Sequence, residues 1–152
     1  MKIRFKYIEH ERTQDAPFIG ALICAIDCNL NCEGCFNQHM KEMPTQELDS
    51  KEIISMVKSY KFNDGIILSG LEWTLQPLEM KELIIQAKNN NLKVIVYTGL
   101  TKEDFISNFS DIYDNIKGIY IKFGEYDDSK LSDNNYYYNI KLSSTNQNIE
   151  EK

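Results

Sequence analysis

Three of the four cysteines in the chain lie close together, as Cys28, Cys32 and Cys35. Asparagine and glycine residues between them allow the backbone to turn sharply, so the three thiolates can converge on one site. Thiolates are soft ligands that favour zinc or iron–sulfur clusters. A four-iron cluster takes one ligand per iron, so three cysteines leave one iron open to a small molecule. The C-x3-C-x2-C spacing therefore predicts a metal centre and favours a 4Fe-4S cluster with one open iron.

Two other interpretations of the same cysteines stay open. A structural zinc ion takes four ligands, and His39 is the nearby residue that would complete such a set. Alternatively, the cysteines are buried as small hydrophobic side chains. A disulfide framework is disfavoured, because closely spaced cysteines in a reducing compartment more often bind metal or react. The apolar residues 16–26 follow acidic and polar residues and lack a cleavage site, so they predict a buried strand rather than a signal peptide.

The fourth cysteine and the two histidines are expected to have plainer roles. Cys24 shares one face of an extended strand with Ile26 and Cys28, so we expect it to pack in the interior near the metal centre without binding it. We expect His10 and His39 to be ordinary loop or surface residues.

Composition narrows the possible partners. The chain has 152 residues, which suits one domain, and its net charge is -6 without a cluster of lysines or arginines. Such a balance gives no footprint for a nucleic-acid backbone, so we expect no nucleic-acid partner. No run of eighteen apolar residues is present, so we expect no membrane span. Because no secretory signal is recognised, we expect a cytoplasmic location.

Short apolar runs alternate with helical patterns along the chain. The predicted strands cover residues 18–26, 65–69, 92–97 and 118–123, and the predicted helices begin after Asp49, at Pro77 and after Thr101. The positions expected to face inward from these helices are Ile53, Ile54, Val57, Tyr60, Met80, Leu83, Ile84, Ala87, Phe105, Phe109 and Ile112. This alternation predicts an α/β fold whose parallel strands form an open sheet or part of a barrel.

The candidate metal ligands and several glycines fall at equivalent places in that fold. The cysteines, Gly70, Thr98-Gly99 and Gly124 each follow the carboxyl end of a predicted strand. In α/β folds this edge is where ligands bind. We therefore expect these segments to line one site.

Several segments resemble a known family. The cysteine spacing is the signature of the radical S-adenosylmethionine (SAM) family, which the sequence resembles here. Within that family the chain is similar to the activating enzymes of anaerobic ribonucleoside-triphosphate reductases, and the likeness extends from about Phe18 to Gln147. The segments that carry it are CEGCFN (residues 32–37), ILSGLEW (67–73), VYTGLTKEDF (96–105) and SSTNQ (143–147).

The resemblance implies a fold. It indicates a partial, open (β/α) barrel of mostly parallel strands with flanking helices. Residues 1–152 would form a single radical SAM domain, with a core over about 16–125 and a C-terminal extension over 126–152.

The resemblance also implies an activity and its cofactors. Cys28, Cys32 and Cys35 would ligate a 4Fe-4S cluster, and SAM would occupy the open iron. Reductive cleavage of SAM would give a 5'-deoxyadenosyl radical that takes a hydrogen atom from a glycine of a partner protein. The partner would be the large subunit of the anaerobic (class III) reductase, and a low-potential donor would supply the electron. The residues expected to contact the cofactor are Gly34, Cys35, Phe36, Gly70, Leu71 and Glu72, and we assign no catalytic side chain.

Alternative functions stay open beside this one. In one alternative the chain activates another glycyl radical enzyme, of the pyruvate formate-lyase type. In another it acts on a small metabolite. From a different class, it would be a zinc-binding interaction module that uses the three cysteines and His39.

The chain departs from the family at two places. Leu71 and Trp73 stand where the family has the second glycine and the proline of its Gly-Gly-Glu-Pro motif. The backbone of Leu71 can still meet the amino group of SAM if its φ is negative. The segment before the cysteines also lacks the family's glycine-rich stretch with an arginine.

Two further features carry expectations. Lys122 is in reach of the SAM carboxylate in principle, although a solvated lysine is favoured. Residues 136–138 are expected to form a buried edge strand rather than an aromatic interface patch.

Overall fold

The structure is a computed structural model that describes residues 1–29 and 38–152. Its strands and helices are, in chain order, β1 (Lys2–Phe5), β2 (Ile8–Arg12), β3 (Gly20–Cys24), β4 (Gln46–Asp49), α1 (Ser50–Ser59), β5 (Gly65–Ser69), α2 (Pro77–Asn89), β6 (Lys93–Tyr97), α3 (Lys102–Asn108), α4 (Ser110–Asn115), β7 (Tyr120–Phe123), β8 (Tyr136–Tyr137), β9 (Ile140–Lys141) and β10 (Asn148–Glu151). Short 3-10 helices cover Gln38–Glu42, Trp73–Leu75 and Asp128–Lys130.

A six-stranded sheet forms the centre of the fold. Its strand order is β10-β7-β6-β5-β3-β2, and the four middle strands run parallel while the two edge strands are antiparallel. The middle strands are almost entirely buried, as expected for strands covered on both faces. The prediction of a mixed α/β fold with a mostly parallel sheet is confirmed, and the partial barrel stays a prediction.

The predicted helix starts are confirmed by their caps. Asp49 accepts a hydrogen bond from the backbone N–H of Lys51, and Thr101 accepts one from that of Asp104. Pro77 occupies the first turn of α2, where its missing N–H costs nothing. The predicted inward positions of α1 and α2 are buried, with one exception. Tyr60 lies past the end of α1, is exposed and stacks on His10, so the prediction that it faces inward is wrong.

The third predicted helix is divided into α3 and α4. Phe109, with φ -133° and ψ 40°, interrupts the helical backbone between them. Phe105 and Ile112 nevertheless face the core as predicted, and Phe109 is half-buried against Phe105.

Strands near both ends of the chain were not predicted. β1 pairs with β4 in a small separate sheet, while β2 and β10 are the edges of the central sheet. These strands are short and carry charged residues, so they lack the apolar runs that identify a strand in sequence. The central sheet therefore includes strands outside residues 16–125.

The three consecutive tyrosines are on a hairpin rather than in a buried edge strand. β8 and β9 pair around a two-residue turn at Tyr138 and Asn139, both with positive φ, which matches the twist of a hairpin. The side chains at 136–138 are exposed, so the prediction of burial is wrong. The hairpin makes a two-stranded sheet of its own, which leaves one face of these residues to solvent.

Candidate functional site

A cavity of about 450 Å³ lies at the carboxyl ends of the parallel strands. This volume is in the range of roughly 300–1,000 Å³ that is typical of small-molecule sites. The predicted strand-end residues that line it are Cys28, Gly70, Leu71, Glu72, Thr98, Gly99, Lys122 and Gly124. Cys28 and the turns after these strands thus meet at one cavity, as expected, while the rest of the cysteine segment lies outside the described residues.

The first cysteine of the cluster motif is held at the wall of this cavity. Cys28 is half-buried, and its backbone N–H donates to the side chain of Asp27 at 2.7 Å. The carbonyl of Asp27 in turn accepts a hydrogen bond from the N–H of Glu72 at 2.8 Å. Asp27, directly before Cys28, is therefore hydrogen-bonded to the turn that follows β5.

The other predicted ligands Cys32 and Cys35, with the predicted contacts Gly34 and Phe36, lie outside the described residues. Within residues 1–29 and 38–152, no three His, Cys, Asp or Glu side chains gather in a way that could hold a metal ion. His39, the extra ligand of the zinc alternative, is exposed on the 3-10 helix of residues 38–42. That alternative also depends on Cys32 and Cys35, so it stays a prediction.

The turn after β5 depends on glycine at its first position. Gly70 has φ +86°, and a Cβ there would lie 2.5 Å from the sulfur of Cys24. Leu71, which follows it, does not have a positive φ, so the condition for its backbone to reach a ligand is met. Trp73, which stands where the resembled family has a proline, is fully buried and donates from Nε1 to the carbonyl of Ile23 at 2.9 Å. The turn is therefore anchored to β3 without that proline.

Glu72 joins the ends of two strands. It is 4% exposed, and its Oε1 accepts hydrogen bonds from the hydroxyls of Thr74 at 2.7 Å and Thr98 at 2.9 Å. Oε1 also accepts from the N–H of Thr74, and Oε2 accepts from the N–H of Gly99 at 2.8 Å. The carboxylate predicted to contact SAM is thus a link between the turns after β5 and β6. We call this the Glu72 junction.

Lys122 is buried in the cavity wall, so the prediction of a solvated lysine is wrong. The side chain of this β7 residue is buried, and its Nζ donates a hydrogen bond to the carbonyl of Gly124 at 2.6 Å. The same nitrogen lies 5.6 Å from the ring centre of Tyr97, a distance at which a cation and an aromatic face attract. A positive charge is therefore fixed at the strand-end side of the cavity.

The cavity is also lined by residues that sequence reasoning missed. Arg12 donates to Asp15 at 2.7 Å and to Glu9 at 3.0 Å, and the hydrogen bond to Asp15 foremost raises the pKa of the guanidinium. Tyr97 donates from its hydroxyl to the carbonyl of Asp15, and burial raises the pKa of that hydroxyl. The position of Tyr97 at a strand end was the one signal in the sequence, since β2 itself was not predicted.

Cys24 packs under the cavity as expected. It is fully buried, its sulfur lies 3.8 Å from the sulfur of Met40, and burial raises the pKa of the thiol to about 11. Tyr7 contacts the same methionine, and burial raises its pKa to about 12. Cys24 is therefore a protonated thiol near neutral pH in the metal-free protein, as expected of an interior side chain.

A comparison with models of protein families identifies the family of the chain. The model of the 4Fe-4S single cluster domain matches residues 19–150, which is most of the chain and includes all four cysteines. The chain belongs to this family. The 4Fe-4S single cluster domain is found in radical SAM-type proteins. Membership of this family supports the predicted iron–sulfur centre rather than a zinc site. A search of curated proteins finds no significant match to the chain. Every helix in residues 1–29 and 38–152 of the domain is too short or too polar to cross a bilayer.

Proposed function

We propose that the chain is a radical SAM activating enzyme that installs a glycyl radical on the large subunit of an anaerobic (class III) ribonucleoside-triphosphate reductase. The observation that carries this proposal is that Cys28 and the turns after three parallel strands line the same cavity. Together with membership of the 4Fe-4S family, this arrangement supports a cluster beside a pocket for a small molecule. When bound, the cluster and SAM supply one-electron cleavage that yields a 5'-deoxyadenosyl radical.

The donor set of the cavity fits these cofactors. Cys28, Cys32 and Cys35 would hold the cluster, because three thiolates suit iron–sulfur chemistry and leave one iron for SAM. The cavity also combines apolar surface from Leu22 and Tyr97 with the buried ammonium of Lys122. Such a lining matches a ligand with a flat aromatic base at one end and an amino-acid group at the other.

The residues around the cavity would each have a separate task. The backbone of Leu71 would contact the amino group of SAM, and Gly70 would allow the turn that presents it. Lys122 would attract the carboxylate of SAM. The carboxylate of Glu72 already accepts four hydrogen bonds, so we assign it to fixing the turn first and to SAM second.

The partner and the location are part of the proposal. A macromolecular substrate would cover the open side of the cavity and exclude water from the radical. We propose a cytoplasmic enzyme that takes its electron from a low-potential donor. Activation of a pyruvate formate-lyase type enzyme would use the same residues, so only the identity of the partner separates the two activities.

Anaerobic reconstitution tests the cofactors. We expect purified protein to bind about four irons with matching sulfide, and to release 5'-deoxyadenosine from SAM when dithionite is added. Cys28→Ala should lose both properties. Protein that binds zinc and no iron after reconstitution would contradict the proposal.

The partner needs a second measurement. Reconstituted protein, SAM and dithionite are mixed with the large subunit of the reductase, and the glycyl radical is sought by electron paramagnetic resonance (EPR). We expect its signal with this subunit and a much weaker one with pyruvate formate-lyase. The reverse result would assign the other glycyl radical enzyme as the partner.

A further inference from the structure

The carbonyl of Gly124, in the turn after β7, is held by two buried side chains of the cavity wall. Lys122 donates to it from Nζ at 2.6 Å, and Gln147 donates to it from Nε2 at 3.3 Å. Lys122 is 8% exposed and Gln147 is 6% exposed, and both line the cavity. The buried ammonium of Lys122 is therefore bonded to a carbonyl that Gln147 also holds.

Gln147 ends the segment SSTNQ (residues 143–147), whose own role in the cavity has not been assigned. Its Oε1 accepts a hydrogen bond from the N–H of Ser144 at 3.1 Å, and its backbone N–H donates to the carbonyl of Ser144 at 3.2 Å. Asn135 donates from Nδ2 to the carbonyls of Ser144 at 2.7 Å and of Gln147 at 3.0 Å. Because the oxygen and the nitrogen of the Gln147 amide have separate partners, the amide is fixed in one orientation.

This C-terminal segment also packs directly on Gly124. A Cβ at Gly124 would lie 2.7 Å from the carbonyl oxygen of Asn146 and 3.2 Å from the Cα of Gln147, so a larger residue would push the two turns apart. The N–H of Gly124 donates to the carbonyl of Leu100, beyond β6, at 2.9 Å. Gly124 is thus fixed between the C-terminal segment and the chain that follows β6.

The place of the Lys122 ammonium matters for a negatively charged ligand. A hydrogen bond between an ammonium and a carboxylate is shorter and stronger than one between neutral groups, and its strength depends on distance and direction. If the Gly124 carbonyl moved, the ammonium bonded to it would move relative to a ligand in the cavity. The side-chain amide of Gln147 opposes that movement.

We propose that Gln147 is a positioning residue for the cavity: by holding the carbonyl of Gly124 it sets the place of the Lys122 ammonium, and with it the affinity for the carboxylate of an amino-acid ligand. The statement about affinity rests on the proposed function, in which SAM is that ligand. The statement about the ammonium concerns the polypeptide alone. Gln147 acts through Lys122 and not by contact with the reacting atoms.

Nuclear magnetic resonance (NMR) of the lysine ammonium groups in the metal-free protein tests the statement about the ammonium. A buried, hydrogen-bonded ammonium is protected from exchange with water, and the signal that disappears in Lys122→Met is that of Lys122. Gln147→Met removes the amide at nearly constant side-chain length. Asn146→Met is the matched control, because exposed Asn146 lies in the same turn and donates from its side chain to the carbonyl of Glu125 at 2.9 Å.

We expect Gln147→Met to shift the Lys122 signal or to broaden it beyond detection, and Asn146→Met to leave it at the wild-type position. An unchanged signal in Gln147→Met would overturn the proposal. A wild type without a detectable Lys122 signal would overturn it as well, because the ammonium would then not be held.

Calorimetric titration of SAM into the anaerobically reconstituted protein tests the statement about affinity. Lys122→Met should weaken binding about tenfold and Gln147→Met about fivefold, whereas Asn146→Met should bind as the wild type does. Because Gln147 acts through Lys122, the double variant should bind within about twofold of Lys122→Met alone. A general structural role would make the two losses multiply to about fiftyfold. That result, or wild-type affinity in Gln147→Met, would overturn the proposal.

Two outcomes need a separate reading. If circular dichroism shows that Gln147→Met does not fold, Gln147→Glu replaces it, since this variant keeps an acceptor for the N–H of Ser144 and removes the donor to Gly124. It should change the Lys122 signal and weaken SAM binding, and no change in either would overturn the proposal. If the wild type binds no iron or no SAM, the proposed function fails, and the NMR comparison still decides whether Gln147 positions Lys122.

Discussion

Two buried charged side chains, Glu72 in the cavity wall and Lys6 after β1, play similar structural roles in different surroundings. Glu72 accepts hydrogen bonds that join the ends of two regular parallel strands, whereas Lys6 donates hydrogen bonds to an irregular segment. Both use neutral partners among the described residues. The sheet already sets the distance between its strand ends, so Glu72 locks a geometry that pairing has formed. Lys6 instead holds residues 41–45, which belong to no strand of a sheet.

The largest effect on folding is expected at the Glu72 junction. Glu72→Ala leaves buried donors of Thr74, Thr98 and Gly99 without their acceptor, and each such group costs about 1–3 kcal/mol. We expect the free energy of unfolding to fall by about 3–5 kcal/mol in urea titrations. Glu52→Ala, at an exposed glutamate of α1, should change it by no more than about 0.5 kcal/mol. Equal effects would mean that water replaces the missing carboxylate.

The next effect is expected at the turn beside that junction. In Gly70→Ala the alanine must adopt a positive φ, and its Cβ would lie against the sulfur of Cys24. We therefore expect the free energy of unfolding to fall by about 2–3 kcal/mol. Gly118→Ala is the matched control: its φ is +75°, but its Cβ would meet only the flexible end of Lys88. Gly118→Ala should lower the free energy of unfolding by about 1 kcal/mol. Adding Cys24→Ala removes the contact with the sulfur but leaves the Cβ of residue 24 at 2.9 Å from the new Cβ, so it should recover part of the difference. Strictly additive effects of the two substitutions would contradict this account.

A smaller effect is expected from alkaline pH. Burial raises the pKa of Cys24 from its ordinary value of 9.0 to about 11, and that of Tyr7 from 10.0 to about 12. The unfolded chain therefore loses these protons first, so stability is full below pH 9 and falls as the pH rises toward 11. Urea titrations at pH 8 and pH 10 should show this fall, and Cys24→Ala should reduce it. A stability that rises over the same range would contradict the assigned burial.

The smallest effect is expected on cluster loading when Cys24 is changed. Because its buried thiol packs against Gly70 and Met40, we expect Cys24→Ser to keep wild-type iron content after reconstitution. Cys28→Ser should lose the cluster in the same experiment. Loss of the cluster's absorbance in Cys24→Ser would assign Cys24 to the metal centre.

The sequence predicts the regular elements of the fold but not the long-range contacts of Glu72 and Lys6. The parallel strands and helices were predictable because apolar runs and capping residues are local signals. From these the meeting of strand ends followed by topology. The partners of Glu72 on the turn after β6 lie 26 and 27 positions away, and those of Lys6 lie 35 to 39 positions away. No local pattern marks such contacts, and the charged edge strands β2 and β10 were missed because sheet pairing, rather than their own composition, makes them strands.

The central claim is that the three cysteines leave one iron of the cluster open for SAM. EPR of the dithionite-reduced, reconstituted protein, recorded with and without SAM, tests it most directly. We expect SAM to change the g values of the cluster signal, and Cys24→Ser to show the same change. A cluster signal that is identical with and without saturating SAM would contradict the claim.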